Sequence, residues 1–398
     1  MATEISDWND LDNVRNDLTA DYVLVNDLDS ETGGYAGVGD DFEPIGDEGS
    51  FDGMGVPFEG TFNGDGFAIE DLVIDFQERG VGLFGDVDNT DALIEDLSVL
   101  GSVSNADADE IRTGGLVGIL KDGTIQNCVS HVDVTASNGD QVGGLAGSIN
   151  GIVSDSYATG SVEGVDEVGG LAGSLNDTIT NCYATGSVDG DSEVGGLVGQ
   201  IQEFGGGEIQ KSYAVGLVTG NTDVGGLVGA RNGETVIDSY WDTESTGQDT
   251  SDGGTGLTTA EMQGSEAETN MDGFDFENVW SIVEPETIET DTINGQITLD
   301  NVAAETATVI LHNFSEPESI VAALEDGYPI LLSVDKKEQL DSQNVESQAQ
   351  ANIARTQTDT NGNYSADIPG TTGDTIAVAV DFDDGTDRYG RLITTVLE

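Results

Sequence analysis

Gly114-Gly-Leu-Val-Gly118, Gly143-Gly-Leu-Ala-Gly147, Gly169-Gly-Leu-Ala-Gly173, Gly195-Gly-Leu-Val-Gly199 and Gly225-Gly-Leu-Val-Gly229 are five copies of one pentapeptide. They start 29, 26, 26 and 30 residues apart, and Val81-Gly-Leu-Phe-Gly85 is a degenerate earlier copy. A second signature recurs between them: Ser156-Tyr-Ala-Thr-Gly160, Cys182-Tyr-Ala-Thr-Gly186, Ser212-Tyr-Ala-Val-Gly216 and Ser239-Tyr240, with Asn127-Cys128 opening a weaker version. A β-branched residue precedes each at constant distance, at Ile125, Val153, Ile179 and Ile209. Repetition at this period marks a stacked architecture in which no unit buries its apolar side alone. A unit of 26 residues holds about three short strands and their turns. It carries no helical stripe. The glycines suit corners, where positive φ or close backbone approach is needed. These features predict an all-β chain built as a parallel β-helix (β-solenoid), with protruding loops where copies differ, near Asp189–Ser192 and Gln202–Gly207.

Charge bounds the setting. The 398 residues include 77 Asp and Glu against 11 Lys and Arg, a net charge of −66. Such self-repulsion normally opposes a compact state. At about 1 M salt the Debye length falls to roughly 3 Å, and surface carboxylates scarcely sense one another. Because the acidity is spread along the chain rather than gathered in ligand loops, a high-salt setting is expected over a calcium-binding one. Nucleic acid is excluded as a partner, since nothing could neutralise phosphates. No apolar run is long enough to enter a bilayer. The first residues, Met-Ala-Thr-Glu-Ile-Ser-Asp-Trp, do not read as a signal peptide. Either a leader is missing or the protein reaches the outside by lysis.

The Val-Gly-Gly-Leu-Val-Gly unit and its Ser-Tyr-Ala-Thr-Gly partner resemble the GLUG motif of bacterial and archaeal surface proteins, adhesins and non-catalytic parts of some immunoglobulin A peptidases. The resemblance extends to Tyr22–Asp29, Phe42–Gly46 and Phe58–Gly66 upstream and to Gly256–Met262 and Phe276–Trp280 downstream, so it covers about residues 5–283. It implies a surface scaffold and leaves the activity open. The expected division is a lead-in with the first coils at 1–110, the repeat core at 111–245, a cap and linker at 246–290, and a small β-sandwich at 291–398. The tail's Thr358-Asp-Thr-Asn-Gly-Asn-Tyr364 turn resembles carboxypeptidase-regulatory-like modules. Ser319–Glu325 and Lys336–Ala354 read as helical, so a helical insertion is expected at about 315–355. Tyr328-Pro-Ile-Leu-Leu332 resembles the segment that closes such solenoids after the Trp, which would place the sandwich's first strands before the solenoid's end.

Catalytic signatures are sparse. His131 and His312 are the two histidines, and neither stands in a His-Glu-x-x-His or triad context. Cys128 and Cys182 occupy one slot two coils apart, about 10 Å at ordinary strand spacing. That is beyond disulfide reach, so two buried free thiols are expected. Paired carboxylates of the glycosidase kind would be invisible among 77 acids. Asp359-Thr-Asn-Gly-Asn363 reads as an Asx-capped turn. No catalytic residue, metal site or cofactor is expected.

The candidate ligand-binding residues are Tyr157, Tyr183, Tyr213 and Tyr240, in register along the coils. Strand alternation places them opposite the neighbouring Ser or Cys and Ala, and Asp155 and Lys211 share their side, which hints that it faces outward. An exposed tyrosine ladder would stack on sugars or a partner surface. A bulge reversing the parity would instead send the rings into the column. The function expected is non-catalytic attachment on a virion or extracellular surface: a haloarchaeal virus fibre, spike or turret, or alternatively a cell-surface adhesin or a polysaccharide-degrading tailspike. Expected partners are a glycan or S-layer protein of a host or neighbouring cell, and other virion or surface proteins through the C-terminal module. Homo-oligomerisation is compatible with this role, though no heptad supports it.

Overall fold

The repeats between Gln141 and Thr219 each fold as five short strands shared among three sheets, because β-branched and small residues alternate with polar ones and are punctuated by turn formers. The computed structural model describes residues 2–47, 55–106, 111–202, 206–231, 233 and 235–281 in full, and beyond them only the backbone of strands between Thr290 and Val396. Two compact units form: Met1–Ser281 with Leu331–Ser342, and Ile282–Ile330 with Gln343–Glu398.

The first unit is a parallel β-solenoid with three sheets, the smallest of them reaching from Gly80 to Gly225. In the smallest, of six strands, Gly114, Gly143, Gly169, Gly195 and Gly225 stand in register from coil to coil. In the second, Tyr157, Tyr183, Tyr213 and Tyr240 are in register. In the third, Ile125, Val153, Ile179, Ile209 and Val236 line up. The interior column is filled by repeated side chains. Leu116, Leu145, Leu171, Leu197 and Leu227 are wholly buried, as are Val142, Val168 and Val194 from another side. Ala158, Ala184 and Ala214 belong to the same core cluster. Burying one Leu is worth about 1.5–3 kcal/mol, so each coil adds such a layer on stacking.

The pentapeptide glycines answer close approach rather than positive φ: none of them is among the residues with left-handed backbone. A Cβ on Gly147 would lie 2.5 Å from the Thr113 backbone nitrogen of the preceding coil. One on Gly143 would strike the carbonyl of Ala146 across its own bend. The left-handed positions fall to other residues. Asp96, Asn127, Asp155, Asn181, Lys211 and Asp238, each one residue before a strand of the second sheet or its Cys/Ser slot, have φ between 46° and 54°. Asn and Asp tolerate this region best among residues with side chains.

The N-terminal end is closed by a short helix, α1 (Trp8–Asn13), whose N-cap Asp7 accepts from the Asp10 amide at 2.9 Å. Trp8 and Leu11 are fully buried, and the Trp8 indole donates to the Asp29 carbonyl at 2.8 Å. After the last coil come α2 (Thr259–Met262), opened by a Thr258/Glu261 capping box, and α3 (Gly264–Asn270).

One loop expectation is corrected. Val188–Asp189 and Ser192–Gly195 are strands in register with their neighbours, so only Gly190-Asp191 turns there. Valine and the small Gly and Ser keep the chain extended at that corner. The other expected loop, Gln202–Gly207, lies partly outside the described residues. In the second unit the strands are antiparallel: Thr308–Asn313 lies between Ile353–Gln357 and Thr375–Asp383, the latter pairing with Arg388–Val396. Thr290–Gln296 pairs with Asn363–Pro369. The expected helices at 319–325 and 336–354 lie outside the described residues, except that Ile353 and Ala354 belong to a strand.

Candidate functional site

The tyrosine row does not form an exposed ladder. Tyr157, Tyr183, Tyr213 and Tyr240 are 2, 5, 1 and 5% exposed. The rings do stack: Tyr157 on Tyr183 at 4.4 Å between centroids, and Tyr183 on Tyr213 at 5.0 Å, nearly coplanar in orientation. They lie outside the interior column, which contains the alanines of the opposite parity. Alternation therefore placed them correctly, and no bulge reverses it. What covers them is the segment after the last coil. Trp280 sits 6.2 Å from Tyr183 and 5.8 Å from Tyr213, Phe274 sits 5.7 Å from Tyr240, and the Tyr240 hydroxyl donates to the Asp272 carbonyl at 2.9 Å. Asp242, wholly buried, anchors this segment by accepting from the Glu244 amide at 2.8 Å and the Thr259 hydroxyl at 2.6 Å. The row is a packing surface for the chain's own cap.

His131 lies at the end of this aromatic stack, 5.9 Å from Tyr157, with Nδ1 2.6 Å from the Thr159 hydroxyl. Burial pushes its pKa down to about 4. Cys128 and Cys182 are free, buried thiols. Burial raises both, Cys128 to about 12. The amides of Cys128 and Cys182 donate to the hydroxyls of Ser156 and Ser212 on the next coil, each at 3.0 Å. The slot thus accepts a small hydroxyl or thiol. Among the described residues no cluster of three His, Cys, Asp or Glu could hold a metal ion, and no helix is long and apolar enough to cross a membrane.

The concave feature of the solenoid lies elsewhere, at the bend made by the pentapeptide. Three rows in register from coil to coil shape it. The floor is Asp86, Ile119, Ser148, Ser174 and Gln200. One wall contains Arg112, Gln141, Glu167 and Glu193. The other holds Lys121, Asn150, Asn176 and Gln202, just after the floor strands. The trough has a volume of about 400 Å³. Its corner is tight because the last glycine of each pentapeptide lets the two strands approach.

The lining is a polar network. Arg112 Nε donates to Gln141 Oε1 at 2.8 Å, and Gln141 Nε2 donates to Glu167 Oε2 at 2.7 Å. Gln202 Nε2 crosses from the far wall to reach both Glu167 oxygens at 3.2 Å. Asn176 Nδ2 donates to Asn150 Oδ1 at 2.7 Å. Lys121 Nζ pairs with the buried Asp86 at 2.7 Å. Burial pushes the Glu167 carboxyl up to about 7, opposed by the Gln141 hydrogen bond and supported by the charge of Glu193. At neutral pH it is shared between a proton-bearing donor and a carboxylate acceptor. The hydroxyl of Ser174, wholly buried, has no hydrogen-bond partner. Chemically the trough offers amide and hydroxyl groups at regular intervals along one line.

None of these residues stood out in the sequence. Aligning the copies on the pentapeptide yields the rows: two residues before it (Arg112, Gln141, Glu167, Glu193), one after (Ile119, Ser148, Ser174, Gln200) and three after (Lys121, Asn150, Asn176, Gln202).

Residues 167–189, one coil of the repeat, match the family described as the GLUG motif. At the level of individual proteins, the chain is 32% identical over 330 aligned residues to halomucin of Haloquadratum walsbyi. That similarity covers 73% of this chain and 3% of halomucin, so the chain spans a small fraction of the curated relative it matches. No solved structure matches the chain.

Proposed function

We propose that this protein is a non-catalytic structural and attachment module of a haloarchaeal extracellular surface, working in very high salt. The similarity to halomucin of Haloquadratum walsbyi over 73% of the chain is the observation that carries the reading. The architecture supports it. A solenoid lengthens coil by coil without enlarging its core, which suits a projecting scaffold. Its charge sits outside: among the described residues only two carboxylates, Asp86 and Asp242, are buried. The partner proposed for its sides is a glycan or S-layer protein of a neighbouring cell. The antiparallel C-terminal unit, taken as a sandwich of regulatory-module type, docks to other surface proteins.

Immunogold labelling of unpermeabilised haloarchaeal cells and of their virions, at native salt, tests this. External label on cells is expected. Label on virions and not on cells would move the same role to a viral fibre, spike or turret, and label confined to the cytoplasm would overturn it. Release of reducing ends from surface glycans by the purified protein would overturn the non-catalytic part.

A further inference from the structure

We propose that the trough between the two walls is a saccharide-binding site, taking a neutral polyhydroxylated chain laid along the solenoid axis. This rests on the attachment reading and adds to it a site and a ligand class. The argument begins with Ser174. A buried hydroxyl without a partner is costly, by about 1–3 kcal/mol, and native proteins rarely leave one unless something else completes it. Its Oγ has none, and the residue lines the trough between Ser148 and Gln200 in the floor row.

Periodicity is the second observation. Floor and walls repeat at the coil spacing, about 4.8 Å, which is close to the length of one pyranose ring. Ser148 with Asn150, and Ser174 with Asn176, therefore repeat one hydroxyl–amide pair on successive coils, the hydroxyl buried at the floor and the amide half-buried on the wall, a repeat that matches consecutive sugars of an extended chain. Side-chain amides both donate and accept, which fits vicinal hydroxyls.

Charge decides between neutral and anionic sugars. Lys121 is engaged with Asp86, and Arg112 with Gln141. Asp140, Asp166 and Glu193 line the adjoining hollow, so a uronate would meet carboxylates at the rim. In molar salt, charge-based recognition is screened within about 3 Å, whereas hydrogen bonds to neutral groups persist. Glu167, pushed up to about 7, adds a donor when protonated.

Titration calorimetry in molar KCl with cellohexaose, maltohexaose and hexagalacturonate tests the site. Binding of a neutral hexasaccharide is expected, weakened at least about tenfold in the double variant Ser174→Ala/Asn176→Ala, a loss of about 1.4 kcal/mol. Ser174→Ala alone is expected to weaken binding without lowering the unfolding temperature, because its hydroxyl has no partner in the free protein. Failure of both neutral sugars to bind, equal binding by the variants, or binding of hexagalacturonate alone would overturn the proposal. Cell-surface labelling is independent of these outcomes, so a loss here leaves the attachment reading standing.

Discussion

At the residue scale, the left-handed positions show how a chain of this charge stacks polar groups. On successive coils the row reads Asp96, Asn127, Asp155, Asn181, Lys211, Asp238. Asn127 Nδ2 donates to Asp96 Oδ1 at 3.0 Å, and Asn181 Nδ2 to Asp155 Oδ1 at 2.9 Å. Asn127 separates two carboxylates, Asp96 and Asp155, on the coils either side of it, whereas Asn181 stands between Asp155 and Lys211. Asn127→Asp keeps the shape, replaces the hydrogen bond to Asp96 with a like-charge contact between two carboxylates, and is expected to cost about 1 kcal/mol at low salt. Denaturant unfolding at low and at molar KCl should show that cost shrinking with salt; a salt-independent cost would assign it to geometry instead. Glu167 gives a second test. Its folded pKa, about 7, lies above the ordinary 4.5, so the folded state binds more protons between those values. Its contribution is complete below the unfolded value and is lost as pH rises through about 7, up to on the order of 2–3 kcal/mol. Glu167→Gln is expected to remove that decline, making the variant more stable than wild type at pH 8 by thermal unfolding, with little difference at pH 4. Neither feature was legible in the sequence. Glu167 and Glu193 hold left-handed backbone, φ 47° and 55°, although Glu has no local preference for it, and how far a half-buried carboxylate is covered is decided by neighbours a coil away.

At the element scale, the pentapeptide is a steric specification. Its Leu fills the column and its fifth residue turns the concave corner. Gly147→Ala would place a methyl 2.5 Å from the Thr113 backbone nitrogen, an obstacle that no rotamer change relieves. Overpacking of this kind typically costs 1–3 kcal/mol, and backbone against backbone belongs at the upper end, so on the order of 3 kcal/mol is expected in urea unfolding. Ordinary tolerance of alanine there would mean that the coils are looser than their register suggests. The period, the register of tyrosines and glycines, and the column residues were all legible, because each repeats at a fixed offset from the pentapeptide. The parity of Tyr157, Tyr183 and Tyr213 was legible too. Their burial was not, since it depends on Trp280 and Phe274, far along the chain and in no repeat. The trough escaped notice for a related reason. Ser148 and Ser174 are unremarkable strand residues until the facing wall is known, and that wall comes from a different strand.

For the whole molecule, the deciding comparison is between two lengths. Carboxylates on neighbouring coils are about 4.8 Å apart along the axis. The Debye length is about 10 Å at 0.1 M salt and about 3 Å at 1 M, so it passes through the coil spacing between these concentrations. With 77 acidic and 11 basic residues, and only Asp86 and Asp242 buried among the described carboxylates, repulsion acts along every face and grows with each coil added. The unfolding temperature followed by circular dichroism is therefore expected to rise steeply between about 0.1 and 1 M KCl and to flatten above it. Strengthened apolar burial by excluded salts is the competing cause. Potassium sulfate matched to KCl in ionic strength separates the two. Equal unfolding temperatures in the matched salts would identify screening, because the Debye length depends on ionic strength alone. A large excess in sulfate would assign the stabilisation to the column of leucines and valines, and the acidic exterior would then serve hydration and solubility rather than the stacking of coils.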